Sequence, residues 1–99
     1  MDVTFADDDL QRLEVDPNFT AGCSQAIVKA YRKRMQVMRA APDERVFYQL
    51  KSLHFEKLEG KRAHQHSMRL NDQYRLIVEL ESGTSEKSVR IIAIEDYHK

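Results

Sequence analysis

The chain has 99 residues and a formal net charge of zero, with 16 Lys and Arg against 16 Asp and Glu. A chain of this length folds as one domain, residues 1–99, and buries only about 60–65% of its unfolded surface, which excludes separate cofactor and substrate domains. We expect a cytoplasmic protein with no membrane partner and no internal disulfide, because the acidic start lacks a signal-peptide pattern, the apolar runs are short and cysteine occurs once.

Charge is unevenly distributed along the chain. Residues 1–28 carry six acidic side chains against Arg12 alone, a balance of −5, whereas residues 29–75 carry twelve Lys and Arg against five Asp and Glu, a balance of +7. Residues 76–99 return to −2. Phosphate groups respond to a local patch of charge rather than to the sum over the protein. The pattern fits nucleic-acid binding and, equally, a solvated helix face.

The first half of the chain predicts helices. Residues 3–5 form a possible short strand, and residues 7–15 predict a short helix with acidic side chains in its first turn, where the helix dipole favours them. The clearest helix spans residues 24–40, because its apolar side chains recur at i, i+3 and i+4, and Pro42 ends it. Residues 43–50 are ambiguous between a short helix and a loop.

From Leu53 onward the hydrophobic period changes to two, which predicts strands. The four expected strands span residues 53–58, 66–70, 73–81 and 88–97. Asn71-Asp72 marks a hairpin turn, and residues 82–85 form the next turn. Helices followed by an antiparallel meander predict an α+β fold, in which N-terminal helices pack on a small, mainly antiparallel sheet.

Motifs of several common enzyme sites are absent from the sequence. It contains no P-loop and no motif for dinucleotide binding, zinc-dependent proteolysis or serine hydrolysis. His64 and His66 would share one face of a strand and, with His54 or His98, could hold a metal, but no spacing here is diagnostic of a metal site. We therefore expect neither a metal site nor a cofactor.

The sequence ends in a run of side chains that can give, take or orient a proton. Asp96, Tyr97 and His98 follow a predicted buried strand, while Glu95 is expected to face away from Asp96 by alternation. RNA cleavage needs a base for the 2′-hydroxyl proton, a cation at the pentavalent phosphate and an acid for the leaving 5′-oxygen. It needs no metal, because the nucleophile belongs to the substrate. The run therefore indicates RNA cleavage, unless it is only a frayed polar tail.

The cations for such a site lie earlier in the chain. Arg69 and Arg75 sit on either side of the predicted hairpin turn, and planar guanidinium groups suit phosphate. Three further cations flank Gly60 in a loop that could reach an RNA backbone: Lys57, Lys61 and Arg62. Arg75 and Lys57 could complete the catalytic set with Tyr97 and His98. The alternative is a group of solvated arginines.

Two blocks of the sequence carry a resemblance to a known family. The first comprises residues 58–63 (LEGKRA) and 66–76 (HSMRLNDQYRL), and the second comprises residues 94–98 (IEDYH). With the spacing between them they resemble the HigB branch of the RelE/ParE toxin superfamily, which includes plasmid maintenance killer proteins. The resemblance covers roughly residues 24–98. The combination of the two blocks is specific, whereas either alone would be weak.

The resemblance implies the toxin of a type II toxin–antitoxin system with a RelE-like fold, acting as a ribosome-dependent messenger RNA endonuclease that inhibits translation. Its implied partners are the ribosome, messenger RNA and a HigA-type helix-turn-helix antitoxin, through which alone the toxin would reach operator DNA. By position, Asp96, Tyr97 and His98 match the family's C-terminal catalytic residues. Arg75 matches the sheet arginine at the scissile phosphate, and Gln73 falls where some members carry a residue that reads the codon. The expected RNA-binding residues are Lys57, Lys61, Arg62, Arg69 and Gln73.

The sequence departs from the family at one position. Some HigB enzymes have a catalytic histidine four residues before the glycine that matches Gly60, where this chain has Glu56. His54 lies two residues upstream and would share a strand face with Glu56, about 6–7 Å away. Three interpretations are open. His54 could be a shifted substitute for the family histidine, it could be a partly buried structural residue while His98 transfers the proton, or the enzyme could be weakened. The structural role of His54 is the slightly favoured interpretation.

Two other functions remain open. One is a ParE-like toxin that poisons DNA gyrase without catalysis, although such chains typically lack the Asp-Tyr-His ending. The other is a non-toxic module that only docks an antitoxin.

Overall fold

A computed structural model describes residues 1–82 and 87–96. Its helices and strands are β1 (Asp2–Phe5), α1 (Asp8–Val15), α2 (Gln25–Ala40), α3 (Arg45–Gln49), β2 (Glu56–Lys57), β3 (His66–Arg69), β4 (Tyr74–Ser82) and β5 (Lys87–Asp96). Two 3₁₀ helices, Lys51–Leu53 and Gly60–Arg62, lie between α3 and β3. The expected turn at residues 82–85 falls mostly outside the described residues.

The strands form one sheet in the order β1-β5-β4-β3-β2. The β1 strand pairs with β5 in parallel, and the other neighbouring strands pair antiparallel. The β3–β4 hairpin turns at Asn71-Asp72, as the sequence predicts, with Arg69 opposite Arg75. These features confirm the predicted α+β fold with a mainly antiparallel sheet. No helix among the described residues is long and apolar enough to cross a membrane.

The two main helices begin at side-chain caps that the sequence provides. Asp7 Oδ1 accepts a hydrogen bond from the Leu10 amide at 2.9 Å, and Ser24 Oγ accepts one from the Ile27 amide at 3.2 Å. Such bonds satisfy amides that have no partner within a helix. The helices predicted over residues 7–15 and 24–40 are thereby confirmed to within one residue at each start.

One face of the sheet belongs to the hydrophobic core. Side chains from both main helices and from β3, β4 and β5 are almost completely buried there: Leu13, Tyr31, Met35, Met38, Met68, Leu76, Val78, Val89 and Ile91. The register skips Ile92 between the pairs Ile77–Ala93 and Val78–Ile91. This β-bulge bends the sheet and increases its local twist. Because successive side chains of a strand point to opposite faces of the sheet, the face turned away from the core carries a different set of side chains.

The segment between α3 and β3 departs from the sequence-based expectation. The strand expected over residues 53–58 is reduced to Glu56–Lys57, because Leu53 ends a 3₁₀ helix and His54 adopts a left-handed conformation with φ 47°. The expectation that His54 lies on a strand, partly buried, is therefore wrong, since the residue is exposed at the end of the 3₁₀ helix. The ambiguous segment before it contains the short helix α3.

Candidate active site

A cleft of about 270 Å³ opens on the face of the sheet that is turned away from the core. Its lining comprises Glu56, Leu58, Arg62, Ser67, Arg75, Ile77, Glu95 and Asp96. Cross-strand pairing brings Glu56 opposite Ser67, and Ser67 opposite Ile77. Ser67 and Ile77 are buried and form the floor, so the charged side chains stand around a firm, partly apolar base.

Arg75 is held at the end of the cleft by the hairpin that precedes it. Its Nη1 donates a hydrogen bond to the backbone oxygen of Asn71 at 3.0 Å. In the register of β4 and β5, Arg75 lies directly opposite Glu95. A guanidinium group that is hydrogen-bonded to the backbone keeps a defined position, and its planar geometry suits phosphate.

Arg62 reaches into the cleft from the second 3₁₀ helix. It donates two hydrogen bonds to Glu95, from Nη1 to Oε1 at 3.0 Å and from Nη2 to Oε2 at 2.8 Å. Its Nε donates to Gln65 Oε1 at 3.0 Å. The bidentate pair joins the loop after β2 to β5, so the loop forms one wall of the cleft.

Asp96 is the last residue of β5 and borders the same cleft. Its Oδ2 accepts a hydrogen bond from Gln73 Nε2 at 3.1 Å. The carboxylate therefore has a fixed neighbour on the β3–β4 hairpin. Two further expected catalytic residues, Tyr97 and His98, lie outside the described residues.

The match of this chain to a family model decides its classification. Residues 3–93 match the HigB-like toxin family, described as the RelE-like toxin of the type II toxin–antitoxin system HigB. The chain belongs to this family. Among solved structures, it is similar to a YoeB/ParE toxin from Agrobacterium tumefaciens, with a TM-score of 0.60, 13% sequence identity and coverage of 99% of this chain and 100% of that chain. No curated protein has a significantly similar sequence.

These findings confirm the family and the fold that the sequence predicts. The structural likeness, at 13% identity, concerns the RelE-like fold alone. A HigB-like toxin belongs to a toxin–antitoxin pair, so an antitoxin partner follows from the family.

The cleft of this HigB-like toxin brings together three of the residues that the sequence singles out, namely Arg62, Arg75 and Asp96. Lys57 pairs with His66 across β2 and β3, so by alternation it points to the opposite face from Glu56. Lys61 is exposed on the second 3₁₀ helix. Neither lysine lines the cleft as described.

Arg69 and Gln73 lie beside the cleft on the hairpin. Arg69 forms an ion pair with Asp72, and its backbone oxygen accepts a hydrogen bond from Arg34 Nε at 2.8 Å. Gln73 is exposed and bonded to Asp96. Each is adjacent to a cleft residue, since Arg69 pairs with Arg75 across the hairpin and Gln73 is hydrogen-bonded to Asp96.

Two cleft residues, Glu56 and Glu95, are not among the site residues that the sequence predicts. Glu56 stands where some HigB enzymes have a catalytic histidine, and this position in the family pattern is the signal that it borders the site. Glu95 and Asp96 occupy successive positions of the β4–β5 register, opposite Arg75 and Tyr74, and both residues nevertheless border the cleft at the end of β5. The register that sets Glu95 opposite Arg75 was not readable from alternation within one strand.

The histidines of the described residues are scattered. The His66 ring stacks on Phe55 with centroids 4.8 Å apart, and its buried Nδ1 has no hydrogen-bond partner. Burial, together with the charge of Lys57, lowers the pKa of His66 below its usual value. His64 Nε2 lies 3.6 Å from Glu79 Oε2. Within residues 1–82 and 87–96, no three His, Cys, Asp or Glu side chains are grouped to hold a metal ion.

Proposed function

We propose that this HigB-like toxin is a ribosome-dependent endoribonuclease that cuts messenger RNA and thereby inhibits translation, with no metal or cofactor. The observation that carries the proposal is the sharing of one cleft by Arg75, Glu56 and Asp96. In the sequence, Tyr97 and His98 follow Asp96 directly. The cleft therefore offers a cation and carboxylates, and the expected proton donor lies two residues after Asp96 in the sequence.

Arg75 is the proposed phosphate-stabilising residue. The pentavalent transition state carries more negative charge on its non-bridging oxygens than the ground state does, and a fixed guanidinium group stabilises that extra charge. The hydrogen bond from Arg75 to the Asn71 backbone supports this role, because it reduces the reorganisation that the arginine needs when the substrate binds.

Glu56 is the proposed base and His98 the proposed acid. The Glu56 carboxylate takes the proton of the 2′-hydroxyl as that oxygen attacks the adjacent phosphorus, and protonated His98 gives a proton to the leaving 5′-oxygen. The products are a 2′,3′-cyclic phosphate and a 5′-hydroxyl end. The proposed role of Asp96 is to position the acid, and Tyr97 is the remaining catalytic residue that the family resemblance implies. The exposed position of His54 outside the cleft lining supports Glu56 over His54 as the base.

The RNA-binding assignments extend this site along the substrate. We propose that Lys61 and Arg62 contact the RNA backbone from the loop wall, and that Arg69 contacts it from the hairpin. Gln73 lies at the position where some family members read the codon, and its side chain is hydrogen-bonded to Asp96. Lys57 is proposed to bind RNA on the face of β2 opposite to the cleft. The proposed partners are the ribosome, messenger RNA and a HigA-type antitoxin that silences the toxin and links it to operator DNA. The activity would take place in the cytoplasm, where ribosomes translate.

A translating extract with end mapping of transcripts tests the proposal. Wild-type protein should cut messenger RNA only when ribosomes translate it, and Arg75→Ala should lower the rate by about 10²–10³-fold, as the loss of one transition-state donor does. Glu56→Gln and His98→Ala should also lose cleavage. Arg90→Ala is the matched control, because Arg90 lies further along β5 and outside the cleft lining.

Two results would overturn the proposal. One is full cleavage by both Arg75→Ala and His98→Ala. The other is DNA breakage by gyrase in the presence of the toxin with intact transcripts, which would favour a ParE-like toxin. Harmless overexpression without an antitoxin would instead favour a docking module.

A further inference from the structure

Residues 48–57 form an exposed corner beside the edge strand β2. Gln49, Ser52 and Glu56 are exposed in this segment, and Glu56 belongs to the cleft. The other exposed side chains are aromatic, apolar or basic, and together they are called the corner surface: Tyr48, Leu50, Lys51, His54 and Lys57. Tyr48 is 54% exposed and Leu50 41% exposed, and they are two of the three large hydrophobic side chains that stand out among the described residues. Such exposure of apolar area next to cations marks a candidate binding surface.

A buried aromatic cluster supports the corner surface from below. The Tyr48 ring meets Phe55 edge-on, with centroids 4.9 Å apart and an interplanar angle of 82°. Phe55 in turn packs against Phe47 at 5.2 Å and stacks on His66 at 4.8 Å. Phe47 and Phe55 are buried. Tyr48 is therefore held on a firm base with one part of its ring open to solvent.

The cations of the corner surface lack acidic partners within the described residues. Lys51 and Lys57 are exposed, and none of the ion pairs among residues 1–82 and 87–96 includes either of them. Covering two unpaired ammonium groups with an apolar protein surface costs free energy. Phosphate groups pair with them and release counterions. The charge therefore disfavours an apolar protein partner, and the exposed Tyr48 ring beside the two lysines favours RNA, whose bases stack on aromatic rings, over an acidic protein.

The corner surface and the cleft lie on different faces of the sheet edge. Glu56 points to the cleft, whereas Lys57 pairs with His66 on the reverse side. A messenger RNA strand bound in the cleft would have to wrap around β2 to reach Lys57. An RNA bound at the corner surface would therefore be a different molecule from the messenger RNA in the cleft.

We propose that the corner surface binds ribosomal RNA, with Tyr48 stacked on an unpaired base and Lys51 and Lys57 at neighbouring phosphates. Aromatic side chains flanked by cations are the usual means of holding unpaired bases. The assignment rests on the proposed function, since it takes the ribosome as the place of action. It adds the surface by which the toxin is held there while the cleft receives messenger RNA.

Binding to vacant ribosomes, free of messenger RNA, tests the assignment without interference from cleavage. Tyr48→Ala should weaken binding by about 5- to 150-fold, the range for loss of one base–aromatic stack. Tyr48→Phe should bind as wild type does, because stacking needs the ring and not the hydroxyl. Tyr48→Leu should behave like Tyr48→Ala, since leucine keeps apolar bulk but has no π-face.

The lysines are tested by salt dependence. Replacing both Lys51 and Lys57 with alanine should lower the slope of log affinity against log salt by about 1.4–1.8, as expected for two lost phosphate contacts. The matched control replaces Lys29 and Lys33, which are exposed on α2, with alanine. It removes the same charge and should leave the slope close to that of the wild type. Thermal unfolding of every variant checks that the corner still folds.

The possible outcomes separate this assignment from the proposed function. Three results for ribosome binding would overturn the corner-surface assignment. They are wild-type affinity in Tyr48→Ala, equal losses of affinity in the two lysine double variants, and binding retained by Tyr48→Leu. Two further results would overturn the assignment. If the variants lose antitoxin binding but keep ribosome binding, the corner surface binds a protein partner. If free messenger RNA binds through Tyr48 as tightly as ribosomes do, the surface is not specific to the ribosome. If the wild type does not bind ribosomes, both proposals fail. If ribosome binding depends on Tyr48 but no transcript is cut, only the proposed cleavage fails.

Discussion

Glu95 lies between two arginines in the cleft, directly opposite Arg75 in the β4–β5 register and bonded through both oxygens to Arg62. Both arginines are expected to face the RNA phosphates. A carboxylate in this position holds the loop wall in place, but it also competes with phosphate for the same guanidinium groups. Glu95 therefore partly neutralises the positive charge that Arg62 and Arg75 bring to the cleft.

Replacement of Glu95 by glutamine should strengthen RNA binding. The change removes one negative charge and weakens the hold on Arg62, whose partly exposed ion pair is worth roughly 0.2–1 kcal/mol. We expect a gain of about 1.4- to 5-fold in affinity for a transcript with a 2′-deoxy nucleotide at the scissile position, measured on programmed ribosomes. Glu81→Gln, at the far end of β4, is the charge-matched control. Weaker binding by Glu95→Gln than by the control would contradict the role of Glu95 as a competitor.

Gln73 should act mainly by positioning Asp96. The hydrogen bond from Gln73 Nε2 to Asp96 Oδ2 fixes the carboxylate, and such a bond contributes about 0.5–1.5 kcal/mol net. Gln73→Ala should therefore slow cleavage by about 2- to 12-fold at every codon alike, and Gln73→Glu should slow it further by charge repulsion. End mapping across a whole transcript pool measures both rate and codon pattern. A changed codon pattern at an unchanged total rate would instead show that Gln73 reads the codon.

The sequence predicts those parts of the fold that local chemistry determines. Asp7 and Ser24 stand where helices need caps, and the alternation in residues 66–82 matches β3 and β4. The same reasoning fails at His54, because a 3₁₀ helix followed by a left-handed residue can produce apolar spacing that resembles a strand. No single-residue signal distinguishes the two, since the buried partner Phe55 suits either.

The candidate site is less predictable because it depends on register between strands. Alternation in β5 separates Glu95 from Asp96, but it does not show that Glu95 meets Arg75, nor that the cleft extends around the strand end to Asp96. The β-bulge at Ile92 shifts the register further. The chemistry of Arg75 and Asp96 and their places at a hairpin and a strand end singled them out, and the family resemblance then implied their roles.

The Tyr31 hydroxyl should contribute measurably to the packing of α1 on α2. Tyr31 is fully buried, and its hydroxyl donates a hydrogen bond to the Leu10 backbone oxygen at 2.6 Å. Tyr31→Phe should lower the free energy of unfolding by about 0.5–1.5 kcal/mol, as measured by urea denaturation. Tyr48→Phe removes a hydroxyl from an exposed ring and should change the value by less than about 0.5 kcal/mol. Equal effects of the two substitutions would contradict a specific contribution of the buried bond.

His66 should make the protein less stable as the pH falls. Burial, followed by the nearby charge of Lys57, lowers the pKa of the folded-state imidazole, with Glu44 acting in the opposite direction. The unfolded chain therefore binds a proton more readily than the folded one, so stability is complete above the ordinary histidine pKa of about 6.5 and declines as the pH falls from there through the folded-state pKa. His66→Phe can retain the stack on Phe55 but cannot be protonated. Its free energy of unfolding, measured by urea denaturation from pH 7.5 to pH 5, should fall less steeply than that of the wild type. Lys57→Ala should give an intermediate slope, because it removes only the second cause, and an unchanged slope in His66→Phe would rule out His66 as the source.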